Sequence, residues 1–162
     1  MKINAVIGPK RKDKAQGMVE FALTLPLLLL LVFGVIEFGR LLFYYGAVVT
    51  ATREAARYGS AAGEAGGGLD YYEDCLGITD AAKRIGSIVG IQDGDVQISY
   101  DRPGSTNLFA PSCPPSTSVD LGDRIIVTVT GRFQPIVPLV NIPQIDIQSV
   151  ARRTIVKDVE VK

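Results

Sequence analysis

The longest apolar run of the chain lies near its start and predicts a long helix. Residues 21–36 carry no charge, and only Glu37 and Arg40 interrupt the apolar character before Tyr45. As a helix, residues 21–36 span about 24 Å, which is short for a bilayer core of about 30 Å. Extending the helix to Tyr45 gives sufficient length. We therefore predict a transmembrane helix over about 21–45.

Two charged residues lie at the outer end of this predicted span. Glu37 and Arg40 are three positions apart, so on a helix they share a face and can form an ion pair. Contacts with a partner helix are the alternative. Tyr44 and Tyr45 follow at the depth where interfacial aromatic side chains are common. We interpret Glu37 and Arg40 as a membrane-boundary pair.

Small residues at helical spacing carry the helix past the predicted membrane boundary. Ala47, Ala51 and Ala55 recur on one face, and the glycine-rich segment 63–68 ends the pattern because glycine is unfavourable within a helix and common after its end. The sequence therefore predicts one continuous helix over 16–62.

A second helix is predicted early in the remaining part of the chain, residues 63–162. Its periodic pattern covers 81–90, and Thr79 or Asp80 is placed to cap it. The predicted buried stripe consists of Ala81, Ile85, Ile88 and Val89.

Alternating hydrophobic and polar positions predict strands after this helix. The alternation covers 96–100, 124–133 and 145–161, and a segment rich in proline, serine, glycine and threonine over 102–120 predicts a long loop. The predicted fold class is α+β, with a long N-terminal transmembrane helix continuing into a small extracytoplasmic head. The head contains an antiparallel sheet of three or four strands.

Positive charge before the helix predicts its orientation. Residues 1–15 contain a cluster of lysine and arginine against one acid, Asp13. Such clusters favour the cytoplasmic side of a membrane segment, so residues 1–15 are predicted to be a basic cytoplasmic leader and 63–162 an extracytoplasmic head. A cleaved secretory signal with a cut near Ala47 is the alternative. A retained anchor is favoured because apolar residues resume after Arg40.

The composition argues against catalysis and cofactor binding. The chain has no histidine, which is the commonest general base and metal ligand, and glycines 66–68 follow a helix, unlike those of a phosphate-binding loop. We predict no enzyme activity, no cofactor and no metal site. A calcium site at 93–95 is the alternative to a simple turn. The 17 basic and 17 acidic residues balance, so no global field attracts nucleic acid.

Cys75 and Cys113 are the only two cysteines. In an exported head they are expected to form a disulfide. A reactive thiol or a metal site are the alternatives, but a third cysteine and a histidine are lacking. The disulfide would close a loop of about 39 residues, which contributes about 4 kcal/mol in the chain-entropy description.

A recognisable motif combines these N-terminal features. The segment AQGMVEFALTLPLLLLLVFGVIEFGR, followed by TATREAAR, has a small residue after a basic leader, then Glu20 and Phe21 opening an apolar helix, then Glu-Phe-Gly-Arg. It resembles the TadE-like pseudopilins of tight-adherence (type IVc) pili. The resemblance is close over about residues 1–60 and looser at VTVTGRFQPIVPLV and the final strand.

The resemblance implies that a prepilin peptidase cuts between Ala15 and Gln16 and leaves Glu20 as the fifth residue of the mature chain. Ala15 stands where family members usually carry glycine. Glu20 and Phe21 are then implied to set the register of assembly, with the Glu20 carboxylate beside the new amino group of a neighbouring subunit. The alternative role of Glu20 is a favourable charge at a helix N-terminus.

The resemblance also implies partners and a function. The partners are other pilin and pseudopilin subunits, the prepilin peptidase, an inner-membrane pilus assembly platform and membrane lipid. The expected function is that of a minor pilin or pseudopilin, first anchored in the membrane and then assembled into, or priming, a pilus for surface adhesion. The alternative is a membrane-anchored extracytoplasmic binding module that is not part of a filament.

Overall fold

One long helix forms the N-terminal part of the structure. The computed structural model describes residues 12–105, 107–136 and 143–157, with side chains from Gln16 onward. Helix α1 extends over Lys12–Gly59, a length of 48 residues, with Pro26 inside it. The helix continues through Pro26 although the proline ring removes one backbone donor. Most of the predicted leader lies outside the described residues.

Internal contacts divide the chain between Gly39 and Arg40 into an N-terminal unit, Met1–Gly39, and a C-terminal unit, Arg40–Lys162. The N-terminal unit contains the first part of α1. The C-terminal unit contains the rest of α1, a second helix and two antiparallel sheets. A long apolar helix followed by a small head with antiparallel sheets confirms the predicted α+β fold class.

A small hairpin follows α1 in the glycine-rich segment. Strands β1 (Glu64–Gly66) and β2 (Leu69–Asp70) pair antiparallel. Gly67 and Gly68 connect them with φ angles of +66° and +80°, which glycine adopts without steric cost. The sequence indicated the end of the helix here but not the hairpin.

Helix α2 begins earlier than the sequence predicted. It extends over Cys75–Gly86, and its N-cap is Asp74, whose Oδ1 accepts a hydrogen bond from the Gly77 backbone N–H at 2.9 Å. The predicted caps Thr79 and Asp80 are therefore wrong. A 3₁₀ turn, Ser87–Val89, follows α2. Its tighter winding places the residues on different faces from those of an α-helix.

This change of winding corrects the predicted buried stripe at one position. Ala81 is 1% exposed and Val89 9%, whereas Ile88 is 73% exposed. Ile85 is partly buried against the core. The sequence pattern treated 81–90 as one uninterrupted helix, and the 3₁₀ turn rotates Ile88 away from the core.

Four strands form the main sheet, in the order β4-β3-β5-β6. They are β3 (Val96–Asp101), β4 (Leu108–Ala110), β5 (Arg124–Phe133) and β6 (Ile145–Thr154). All neighbours are antiparallel, and β5 pairs with β6 without interruption along its length. The predicted loop over 102–120 was wrong at β4, a short strand that pairs with the end of β3.

The core lies on one face of this sheet. Alternate residues of β5 are completely buried, namely Ile125, Val127 and Val129. The second part of α1 packs against the same core with Val48, Ala51 and Ala55, each 0% exposed. The helix therefore supplies one layer of the C-terminal unit, and the sheet supplies the other.

Candidate membrane and assembly surface

The first part of α1 presents apolar side chains on all sides. Every residue from 16 to 36 is exposed in the isolated chain, including Phe21 at 60%, Leu30 at 61% and Val35 at 66%. Within the described residues, one helix is long and apolar enough to cross a membrane. A continuous apolar surface of this size requires lipid or other apolar helices around it. This helix fits a single-pass membrane anchor.

Glu20 lies on this exposed apolar surface. Gln16, Val19, Glu20 and Leu23 share one face of α1, as the helical spacing requires. The Glu20 backbone carbonyl lies 3.0 Å from the Thr24 hydroxyl. The bond between Ala15 and Gln16 lies within α1 as described, which extends over Lys12–Gly59. The proposed cut and the register role of Glu20 stay predictions.

The second part of α1 is fixed to the sheet at close distance. Its buried face consists of small and medium side chains, namely Val48, Ala51, Thr52, Ala55 and Ala56. Gly131 in β5 faces this helix, and a Cβ atom at that position would lie 2.6 Å from Val48 Cγ2 and 2.8 Å from Tyr44 Cε1. The absence of a side chain at Gly131 therefore sets how closely α1 approaches β5.

Tyr44 connects α1 to two other elements through its hydroxyl. This oxygen lies 2.6 Å from the Val89 carbonyl and 2.9 Å from the Arg132 carbonyl. A hydroxyl has one proton and donates to one of these carbonyls at a time. The Tyr44 ring also meets the Phe133 ring edge to face, with centroids 5.5 Å apart. The sequence predicted an interfacial position for Tyr44; the structure adds that its hydroxyl bonds to the C-terminal unit.

Arg40 lies one turn before Tyr44 and contacts the same aromatic group. Its guanidinium carbon is 5.4 Å from the centroid of the Phe133 ring, a distance at which a cation is attracted to the ring face. The predicted pairing of Arg40 with Glu37 stays a prediction. The contact with Phe133 gives Arg40 a second role that the sequence did not indicate.

The opposite end of the C-terminal unit has its own connection between α1 and α2. The Tyr58 hydroxyl donates to Asp74 Oδ2 at 2.7 Å, while Asp74 Oδ1 caps α2. This hydrogen bond, together with burial, raises the pKa of Tyr58 to about 12. Since the Asp74 end of α2 lies beside Tyr58 and Val89 lies beside Tyr44, α2 runs antiparallel to α1. We name these regions the Tyr58 end and the Tyr44 end.

The two cysteines are joined in the structure. Cys75, the first residue of α2, and Cys113 form a disulfide with a Cα–Cα distance of 5.7 Å. The Tyr100 hydroxyl lies 2.5 Å from the Tyr72 carbonyl and 3.3 Å from Cys113 Sγ. Burial raises the pKa of Tyr100. The disulfide thus ties the segment after β4 to the start of α2 beside a buried tyrosine.

The acidic segment 93–95, weighed as a calcium site, forms a 3₁₀ turn before β3. Asp95 is 5% exposed; it accepts a hydrogen bond from the Gln92 backbone N–H at 2.9 Å and pairs with Arg132 at 2.8 Å. Asp93 pairs with Lys83 at 2.6 Å. Both carboxylates therefore bind protein groups. In the parts of the chain that the structure describes, no cluster of three or more His, Cys, Asp or Glu residues is arranged to hold a metal ion.

The sequence did not reveal the residues that fix α1 to the C-terminal unit. The Tyr44 hydroxyl bonds to carbonyls 45 and 88 residues away, and Asp74 accepts a hydrogen bond from Tyr58, 16 residues away. The one available signal was Gly131, since a glycine inside an otherwise β-branched strand often marks a close approach of another backbone or helix.

Comparison with known proteins addresses the N-terminal segment. A family model described as TadE-like protein matches residues 15–57. No significant match was found among curated proteins or among solved structures. The TadE-like pilin family is structural and non-enzymatic, so the match supports a pilin-like protein that is associated with a tight-adherence pilus and interacts with other pilus components. The recognition predicted from the sequence is thus confirmed: the segment of residues 15–57 is TadE-like.

Proposed function

We propose that this protein is a minor pilin or pseudopilin of a tight-adherence (type IVc) pilus. The N-terminal part of α1 anchors it in the inner membrane, with the leader in the cytoplasm and the C-terminal unit outside. The protein then enters a filament or primes its assembly. The observation that carries this proposal is a TadE-like helix whose residues 16–36 are all exposed and, apart from Gln16, Glu20 and Thr24, have no polar side chain.

This surface can be covered in two successive ways. In the membrane, lipid tails surround it. In a filament, the equivalent helices of neighbouring subunits replace the lipid. The same apolar side chains suit both surroundings because neither offers water to the helix. The C-terminal unit has its own core and does not depend on this exchange.

Glu20 provides the specific element in an otherwise uniform apolar surface. A carboxylate surrounded by helices is costly unless a cation accompanies it. A cut between Ala15 and Gln16 creates an ammonium group four residues before Glu20. We propose that the ammonium of one subunit pairs with Glu20 of its neighbour and selects a single axial register.

The processing step is tested on the intact protein. The chain is produced in cells with an active prepilin peptidase, extracted from membranes and analysed by mass spectrometry. We expect a mature N-terminus at Gln16. An intact N-terminus in these cells would refute processing. A chain that is also retained in membranes under shear would instead identify an anchored binding module.

The register role is tested by removing one charge. Glu20→Gln keeps the size of the side chain and removes the carboxylate, so we expect normal membrane levels and a strong loss from sheared filaments. Glu54→Gln is the matched control, because Glu54 lies on the same helix and forms an ion pair with Arg57, which contributes little to stability. Equal incorporation of Glu20→Gln and Glu54→Gln would exclude the register role.

A further inference from the structure

The C-terminal unit exposes large apolar side chains at both of its ends. At the Tyr44 end, Ile88 directly precedes Val89, and Ile136 follows Phe133 by three residues; they are 73% and 69% exposed. At the Tyr58 end, Leu76 lies in the first turn of α2 and is 79% exposed. Exposure alone therefore does not distinguish the two ends, and single exposed apolar residues are common.

Position relative to the membrane does distinguish them. Tyr44 and Tyr58 are 14 positions apart on α1, which corresponds to about 21 Å along the helix axis. Arg40, the first residue of the C-terminal unit, directly follows the apolar segment. Along the chain, Tyr44 therefore follows Arg40 by four residues, whereas Tyr58 follows it by eighteen.

The hydrogen bonds of Tyr44 fix the depth of the surrounding groups. The sequence predicts that Tyr44 lies at the membrane interface. Its hydroxyl is within 2.9 Å of two backbone carbonyls, those of Val89 and Arg132. Any depth that Tyr44 takes in the bilayer is thus shared by these residues. Ile88 adjoins Val89 in sequence, and Ile136 follows Arg132 by four residues, so we infer a similar level for both.

We propose that Ile88 and Ile136 insert into the outer leaflet of the membrane and seat the C-terminal unit on the lipid surface. This inference rests on the proposed membrane-anchored state. We name Ile88 and Ile136 the lipid-contact pair. The partner is the headgroup and upper acyl-chain region of a bilayer, and the contact is released when the subunit leaves the membrane.

Two features of the Tyr44 end favour lipid as the partner. Exposed apolar side chains also lie on α1 beside Tyr44, where Leu42 is 54% and Phe43 61% exposed. The exposed guanidinium groups of the Tyr44 end include that of Arg132, whose side chain is 55% exposed and pairs with Asp95 through Nη1. Such groups extend towards lipid phosphates while neighbouring apolar side chains enter the acyl region.

The absence of tryptophan from the chain allows a direct test. Single-tryptophan variants Ile88→Trp and Ile136→Trp of the full chain are reconstituted into phosphatidylcholine–phosphatidylglycerol vesicles. The lipids are brominated either near the headgroup or near the chain end, and bromine quenches nearby tryptophan. We expect both variants to lose tryptophan emission, more strongly when the bromine is near the headgroup. We also expect their emission maxima to lie at shorter wavelength than that of free tryptophan in buffer without detergent.

The matched controls are Leu76→Trp and Leu121→Trp, whose parent side chains are as exposed but lie at the Tyr58 end. Leu121 belongs there because Ile125, four residues later, contacts the Gly59 position. We expect these two variants to keep their emission. Leu30→Trp reports insertion of α1 itself and is expected to be quenched most by bromine near the chain end.

The outcomes separate the two proposals. Quenching at Leu30→Trp without quenching at Ile88→Trp and Ile136→Trp overturns the lipid-contact pair and leaves the anchor intact. Absence of quenching at Leu30→Trp overturns the anchor, and the lipid-contact pair falls with it. Equal quenching of Leu76→Trp and Ile88→Trp also overturns the inference, because the Tyr58 end would then contact lipid equally.

Discussion

Replacing Gly131 by alanine tests whether close packing of α1 on β5 holds the C-terminal unit together. Gly131 lies within a strand, and an added Cβ atom would meet Val48 Cγ2 at 2.6 Å and Tyr44 Cε1 at 2.8 Å. Real Cβ atoms do not approach other carbons this closely. Either α1 moves away from the sheet, or the Tyr44 ring leaves its hydrogen-bonded position.

The sign of the change in the free energy of unfolding shows whether α1 packs closely on Gly131. Without a neighbouring helix, Gly131→Ala should stabilise the strand by about 0.5–1 kcal/mol, because alanine restricts the unfolded chain. Overpacking against a well-filled core instead costs about 1–3 kcal/mol. We expect the second effect to dominate and to lower the free energy of unfolding. The corresponding fall in melting temperature is about 2–12 °C.

The assay is thermal unfolding of the full chain in detergent micelles, followed by circular dichroism. Gly46→Ala is the matched control, since Gly46 lies on α1 and an added Cβ would have no neighbour within 4 Å. Alanine is the better helix former by about 1 kcal/mol, so this variant should melt at a higher temperature. The two glycine-to-alanine changes are thus expected to have opposite signs.

A double-mutant cycle identifies the contact responsible. Val48→Ala removes the methyl group nearest to the new Cβ and by itself destabilises the core. Combined with Gly131→Ala it should cost less than the sum of the two single changes, by about 1 kcal/mol. Additive costs, or a Gly131→Ala protein as stable as the wild type, would show that α1 does not pack on β5 as the structure has it.

Three further outcomes follow from the C-terminal unit. Reducing the Cys75–Cys113 disulfide, whose cysteines are 38 residues apart, should lower the free energy of unfolding by about 4 kcal/mol, as denaturant titration with and without reductant will show. The pKa of Tyr58 is raised to about 12. The protonated Tyr58 hydroxyl therefore stabilises the fold fully below the usual pKa of about 10, and this stabilisation is lost as the pH rises through about 12. Asp74→Asn should shift the tyrosinate absorbance of Tyr58 to lower pH, with Tyr58→Phe identifying the signal. Asp101→Asn disrupts a buried carboxylate that accepts two hydrogen bonds of 2.7 Å from one arginine, so the same denaturant titration should show a loss of about 1.5–3 kcal/mol.

Local patterns in the sequence were sufficient to predict the main elements of the fold. The apolar run predicted α1, and the alternation of β5 predicted which side chains are buried, with Ile125, Val127 and Val129 all at 0% exposure. These predictions succeed because burial on one face of a strand or helix imposes a fixed period on the sequence. The motif around Glu20 likewise led to the family that residues 15–57 match.

Elements without a period of their own were predicted poorly. Strand β4 has three residues, too few for an alternation, and pairs with β3 only at Tyr100 and Asp101. The 3₁₀ turn at Ser87–Val89 follows α2 without a break in its apolar pattern, so Ile88 was predicted to be buried. In both places contacts with residues distant in sequence decide the conformation, and the local sequence pattern does not reveal these contacts.

The residues that connect one element to another were the least predictable. Their contacts depend on how the elements are placed beside one another in space. The Tyr44 hydroxyl reaches the carbonyls of Val89 and Arg132 only because the turn after α2 and the end of β5 both lie beside this residue of α1. No local pattern encodes that placement. Tyr44 was interpreted from its neighbours in sequence as an interfacial residue, and its neighbours in space make it a structural link as well.

The uncovered apolar surface of this chain lies in the first part of α1. Within the described residues, no buried side-chain nitrogen or oxygen lacks a hydrogen-bond partner, and the core of the C-terminal unit is supplied by its own residues. Residues 16–36 of α1, in contrast, bury no side chain within the chain. The C-terminal unit therefore has a core of its own, whereas the exposed apolar helix requires lipid or other apolar helices around it. The proposed Glu20 contact lies in this dependent segment, so its loss should impair assembly while leaving the stability of the C-terminal unit unchanged.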